Sequence, residues 1–162
     1  MTKSITLNTK NLNDFKRTVK LIAAACSTKV RIIFLSGALG AGKTEFARSW
    51  LRQRGIQGQI KSPSFSMVES YHDDRGQAIH HMDLYRVNTV SEIRCLGLED
   101  YIDDQLLIEW ADRGIAELMP CDLSVTITHT ETDGRQLHIE SKDKVLIEAI
   151  STSLQQRPGG VR

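Results

Sequence analysis

Disulfide and zinc frameworks are both missing from this chain. Its three cysteines among 162 residues, Cys26, Cys95 and Cys121, are scattered and show no C-x-x-C spacing, which points to reduced, partly buried thiols in a reducing compartment. No apolar run approaches the ~20 residues of a membrane span. The N-terminus carries Lys3, Ile5 and Leu7 in place of a signal-peptide core, so the expected location is the cytoplasm. Charge of one sign is lacking too. Twenty-one Lys and Arg against twenty Asp and Glu leave a formal net charge of +1. A chain that grips nucleic acid by itself is normally far more basic. Binding to DNA is not expected, and any link to RNA is expected to be indirect. There is no internal repeat, low-complexity tract or linker.

What remains is ordinary globular material, 40% hydrophobic and 25% charged, enough for one domain with a real core. The expected domain runs over residues 1–154, with 155–162 as a frayed tail. Within it lies Gly37-Ala38-Leu39-Gly40-Ala41-Gly42-Lys43-Thr44, a match to G-x-x-x-x-G-K-[ST]. The run before it, Val30-Arg31-Ile32-Ile33-Phe34-Leu35-Ser36, reads as a buried strand, and the run from Glu45 to Arg52 as an amphipathic helix. Strand, glycine loop and helix together form a phosphate cradle. Backbone N–H groups from Gly37, Leu39, Gly40, Ala41 and Gly42 onward converge on an anion, aided by the positive end of the helix dipole. Lys43 is placed to reach the β- and γ-phosphates, and the Thr44 hydroxyl to ligate Mg²⁺.

Taken in order, 4–7 alternates as a short strand, and Asn11 or Asn13 caps a helix ending near Cys26. Residues 27–29 form a turn. The loop's helix stops at Arg54-Gly55. Residues 65–71 and 78–85 read as strands joined by the turn 72–76. Ser91 opens a helical stretch with Glu92 in its first turn, Gly97 interrupts it, and 98–103 resembles a second short helix. Leu106-Leu107-Ile108 is a brief apolar strand, and 113–118 holds one or two helical turns. An antiparallel hairpin is expected from 122–128 and 135–139 across Asp133-Gly134. A terminal helix over 144–154 would bury Val145, Leu146, Ala149 and Ile150. Helices interleaved with apolar strands and hairpins predict an α/β fold, a three-layer sandwich of the P-loop NTPase kind with a mixed, partly parallel sheet.

A magnesium–nucleotide site needs carboxylates at strand ends beside the loop. Glu109 ends Leu106-Leu107-Ile108, and Asp83 ends 79–82. Ser62-Pro63-Ser64 offers hydroxyls on a stiffened loop that could meet a γ-phosphate or its metal. His80 and His81 point to opposite strand faces, so His81 alone shares the side of Asp83; both read as core or surface histidines, not ligands. Trp110 and Tyr85 read as packing residues, with Trp110 adjoining the acid.

Four segments in this order, G-A-L-G-A-G-K-T (37–44), K-S-P-S-F (61–65), H-M-D-L-Y-R (81–86) and I-E-W (108–110), resemble the TsaE family. That family is the small ATPase of bacterial tRNA threonylcarbamoyladenosine synthesis, and the resemblance covers about residues 5–140. It implies binding of ATP with Mg²⁺ and slow hydrolysis alone. It also implies association with the proteins TsaD and TsaB, through which ATP turnover supports modification of adenosine 37 in tRNA. By position, Thr44 and Glu109 hold Mg²⁺, and Lys43, Asp83 and Glu109 form the catalytic set. Ser64 stands where the family has a switch threonine, and Arg135 matches a late arginine of the nucleotide pocket. Ala38 replaces the family's usual Asp or Asn. Asp14 or Phe15 falls where relatives carry an N-terminal threonine near the adenine.

Other classes fit the residues less well. A small-molecule phosphotransferase needs an acceptor pocket and a lid with paired arginines, which 86–113 does not display. A GTP switch needs N-K-x-D downstream, which is absent, and D-x-x-G after the second nucleotide-site strand, where none follows Leu106-Leu107-Ile108. A binding-only protein that never hydrolyses stays open, because no catalytic arginine is evident: Arg86 and Arg113 are candidates, and a partner could equally supply one in trans.

Overall fold

The architecture is taken from a computed structural model that describes residues 1–26 and 29–156. Seven strands make one sheet: β1 (Lys3–Thr9), β2 (Ile32–Ser36), β3 (Val68–His72), β4 (Ala78–Asp83), β5 (Gln105–Glu109), β6 (Leu123–His129) and β7 (Arg135–Ser141). Their order across the sheet is β1-β7-β6-β2-β5-β4-β3. The middle four, β6-β2-β5-β4, run parallel, while β1, β7 and β3 add on antiparallel. The expected mixed sheet is therefore present, including both hairpins.

Among the described residues there are four α-helices: α1 (Leu12–Cys26), α2 (Lys43–Gln53), α3 (Val90–Arg94) and α4 (Lys144–Gln155). Short 3-10 turns occupy Leu98–Asp100, Ala111–Arg113 and Ile115–Glu117. Alternate residues of a strand face opposite sides, and this divides the core in two. Ile33, Leu35 and Leu107 pack with α1, α2 and α4, whereas Phe34, Leu106, Ile108 and Met82 pack with α3 and the 3-10 turns. Three layers result. β5 is buried along its whole length, the pattern of a strand covered on both faces. At its start the buried Gln105 accepts a hydrogen bond from the Trp50 indole N–H at 3.0 Å.

Local expectations needed several corrections. Residues 63–66 form a turn, not the start of a strand: Met67 N donates to Pro63 O at 2.8 Å, and Met67 is left-handed at φ 65°. Strand β3 begins only at Val68. The return strand stops at Asp83, two residues early: Leu84 N makes the last ladder bond, to Glu109 O, and Tyr85 N then donates to the Asp83 side chain. Thr89, not Ser91, caps α3, accepting a hydrogen bond from Glu92 N; Thr89-x-x-Glu92 has the capping-box spacing that Ser91-x-x-Arg94 lacks. The second short helix shrinks to Leu98–Asp100. On α4 the buried set is Leu146, Ile147, Ile150 and Leu154, and Val145 is exposed. That helix continues through Gln155 with Gln156 as its C-cap; residues 157–162 of the expected tail, and Ser27-Thr28 of the expected turn, lie outside the described residues.

Candidate functional site

β2 delivers the chain into the glycine loop, and the loop delivers it into α2. Gly37, Gly40 and Gly42 hold φ of 147°, 77° and 117°, a region that side-chain-bearing residues resist. Gly42 forms the N-cap of α2 without any side-chain cap. The first-turn N–H groups of a helix have no partner inside it, so here they remain directed into the loop. Leu39 projects to solvent and Ala41 is buried, which leaves the loop's backbone as its inner surface.

Lys43 folds back under this loop. Its ammonium donates to Gly37 O at 2.7 Å and Ala38 O at 2.9 Å and lies 3.8 Å from the centroid of the Trp110 ring. Burial pushes its pKa below the ordinary lysine value, against the opposing pull of Glu109, Asp83 and Asp112. Trp110 reaches this place because its backbone is left-handed, φ 57°. Its ring also meets Tyr85 at 5.0 Å and lies 5.5 Å from the Arg113 guanidinium.

The acids arrive from adjacent parallel strands whose register sets Asp83 beside Glu109. Both are buried. Thr44 Oγ1 donates to Glu109 Oε2 at 3.1 Å, while Glu109 Oε1 meets His81 Nε2 at 2.7 Å. Asp83 Oδ1 accepts from Tyr85 N at 2.8 Å, and its Oδ2 accepts from Ser64 Oγ at 3.4 Å. Ser64 in turn pairs with Ser62 at 2.7 Å. Burial raises the Asp83 pKa above the usual carboxylate range, with the Glu109 charge acting in the same direction and the Tyr85 N–H, His81 and Ser64 opposing.

Lys43, Thr44, Asp83, Glu109 and Ser64 thus converge on one mouth. Thr44 and Glu109 present hard oxygen donors side by side, a set suited to Mg²⁺. Arg135 lies apart from the acids, on the other flank of the loop. Its Nε donates to Ala41 O at 2.8 Å, and it lines a small cavity of about 70 Å³ with Asn11, Phe15 and Gly42. Arg86 stacks 4.3 Å over the Phe65 ring. Two members of the site were not expected from sequence. His81 was placed on the Asp83 side by strand alternation, yet its partner proved to be Glu109. Trp110 was read as packing beside the acid, and nothing short of its left-handed backbone would have put it under Lys43.

A strand running into an uncapped helix through left-handed glycines, with an acid ending the neighbouring parallel strand, defines a phosphate-loop α/β protein. Comparison with known proteins narrows this. Residues 9–137 match the family model described as threonylcarbamoyl adenosine biosynthesis protein TsaE, and the chain belongs to that family. It is 35% identical over 126 residues to the tRNA threonylcarbamoyladenosine biosynthesis protein TsaE of Haemophilus influenzae, covering 76% of this chain and 78% of the relative. The Bacillus subtilis protein of the same description is 34% identical over 138 residues, covering 83% and 84%. Among solved structures, Bacillus subtilis YdiB superposes with a TM-score of 0.76 at 29% identity, over 94% of this chain and 97% of that one. The family expected from the four segments and the expected fold class are both borne out.

Proposed function

We propose that this chain binds ATP with Mg²⁺ and hydrolyses it, weakly alone, as the energy-supplying member of the tRNA threonylcarbamoyladenosine machinery. Its partners are TsaD and TsaB, tRNA is met only through them, and the protein works in the cytoplasm. Among the described residues no helix is long and apolar enough to cross a membrane. The observation that carries this reading is the Thr44–Glu109 contact at the mouth of the glycine loop, because it joins the phosphate cradle to the acid of a neighbouring strand. Thr44 and Glu109 would hold the metal, which when bound neutralises charge on the phosphates. Lys43 leaves the carbonyls of Gly37 and Ala38 to pair with phosphate oxygens, and the loop N–H groups fix the remaining oxygens. Asp83, its proton affinity raised by burial, orients the attacking water and accepts its proton. Ser64 links Asp83 to the 61–65 loop, which would respond to the terminal phosphate. Arg135 steadies the loop from the base side.

The test is calorimetric ATP binding with Mg²⁺, followed by ATPase rates with and without a TsaD–TsaB pair. Co-purification with that pair and a higher ATPase rate in its presence support the proposal. Glu109→Ala is expected to keep much of the ATP affinity and to lose turnover by about 100-fold or more, the scale of removing a charge-stabilising group. No association with the pair, together with phosphate transfer to a screened small molecule, would establish the phosphotransferase reading instead.

A further inference from the structure

We infer that His81 is a positioning residue that turns the Glu109 carboxylate toward Thr44 and so sets the affinity of the site for its metal. The inference rests on the magnesium–nucleotide reading above. His81 lies on β4, completely buried, and its strand backbone is paired to β3 on one side and β5 on the other. The ring is held where it is. A carboxylate accepts hydrogen bonds, so the 2.7 Å contact with Glu109 Oε1 places the imidazole proton on Nε2. The other ring nitrogen, Nδ1, is buried and has no hydrogen-bond partner among the described residues.

A buried polar nitrogen left without a hydrogen-bond partner costs free energy. An apolar side chain of similar volume would remove that cost, so packing does not account for a histidine here. What the imidazole supplies is its one bond to Glu109. The neighbouring His80 differs in this respect. It points to the opposite side, and both its nitrogens are engaged, Nδ1 by Ser70 at 2.8 Å and Nε2 by Asp104 at 3.0 Å.

The bond has a directional consequence. Asp83 stands in register beside Glu109, and two adjacent carboxylates push each other toward alternative rotamers. By holding Oε1, His81 leaves Oε2 facing the Thr44 hydroxyl, where both oxygens are available to one cation. Groups behind a metal ligand orient it, and their loss typically weakens metal affinity 10- to 100-fold.

The experiment follows Mn²⁺ by electron paramagnetic resonance, titrating it into the protein with a non-hydrolysable ATP analogue. Three variants are compared with the native chain. His81→Leu keeps the volume and removes the donor. His81→Gln presents an amide N–H near the position of Nε2, and His81→Asn is too short to reach Glu109. Expected are a roughly 10- to 100-fold loss of Mn²⁺ affinity in the Leu and Asn variants and rescue to within about threefold by Gln. Binding of a fluorescent ADP in EDTA should stay within about twofold in all of them. Native Mn²⁺ affinity in the Leu or Asn variant overturns the inference, as does a Gln variant as weak as Asn. Equal loss of ADP binding in EDTA overturns it as well, since that reports general damage. Should the Leu variant not fold, the Gln and Asn pair decides alone. If the native chain with the analogue holds no Mn²⁺, the magnesium–nucleotide reading itself fails, and the inference falls with it.

Discussion

The Lys43 ammonium rests 3.8 Å from the centre of the Trp110 ring while bonded to the carbonyls of its own loop. A lysine held this way is already desolvated and partnered, and under the proposed function a phosphate would have to outcompete an aromatic face and two carbonyl oxygens to claim it. Adding ATP with Mg²⁺ should therefore alter Trp110 fluorescence. The second tryptophan, Trp50, is fully buried and bonded to Gln105, so it contributes a constant background. Lys43→Ala should abolish the response and weaken ATP binding roughly 10- to 100-fold, the worth of a charge-assisted contact.

Asp83 carries a destabilising charge. Its folded pKa is raised, first by burial and then by Glu109, so below the unfolded carboxylate pKa both states are protonated and nothing is lost. As pH climbs through and above that value, the unfolded chain ionises first, and folded stability declines until the folded pKa is passed. Asp83→Asn keeps an oxygen for the Tyr85 N–H and removes the charge. At pH 7 it should raise Tm by about 2–4 °C, the effect of ~1 kcal/mol in a domain of this size. The gain should vanish when melting is repeated near pH 3.5. Turnover should fall sharply while ATP binding persists.

Two glycines of one loop should fail in opposite ways. A Cβ at Gly37 would stand 2.4 Å from the backbone oxygen of Ile127, at φ 147°. Gly37→Ala is expected to cost ~2 kcal/mol or more of stability in urea unfolding. At Gly40, φ 77°, a Cβ would meet nothing within 4 Å. Gly40→Ala should cost only ~1 kcal/mol for the left-handed backbone. Its methyl occupies space beside the cradle, so the larger effect should appear in ATP affinity measured by calorimetry.

Thiol reactivity should follow burial. Cys26 is buried and its thiol is pushed up to about 12, Cys121 is half-buried with a raised pKa, and Cys95 is exposed. Reaction with a disulfide reagent at pH 8 should label Cys95 first and reach Cys26 only on unfolding. Mass spectrometry of the labelled peptides gives the order.

Legibility in the sequence tracked how local each determinant is. The runs 32–35 and 106–108 are apolar because they sit between neighbours in the middle of the sheet, and the hairpin at Asp133-Gly134 announces itself by its turn. Thr44, Glu109 and Asp83 were findable because each stands at the end of a strand or in a glycine motif. Residues 65–67 alternate like a strand, yet Pro63 and the left-handed Met67 close a turn that no alternation pattern records. The His81–Glu109 bond joins residues 28 apart in sequence. It depends on the register of β4 against β5, which is decided by packing and leaves no trace in either strand alone. Nor could the exposure of Val145 be told from the burial of Ile147, since both lie near the edge of the same helical stripe.

The pairing of β1 with β7 has a consequence for how this protein is made. Lys3 through Thr9 have no sheet partner until Arg135 through Ser141 have been synthesised, and Arg135 is also the residue that braces Ala41 in the glycine loop. On a ribosome, β1 emerges long before β7 and must wait with its backbone unpaired while most of the domain follows. A nascent chain halted before the last hairpin would contain the complete glycine motif and both acids, yet lack the brace on its loop. Nucleotide capture should therefore mature late in translation, once the final two strands leave the exit tunnel.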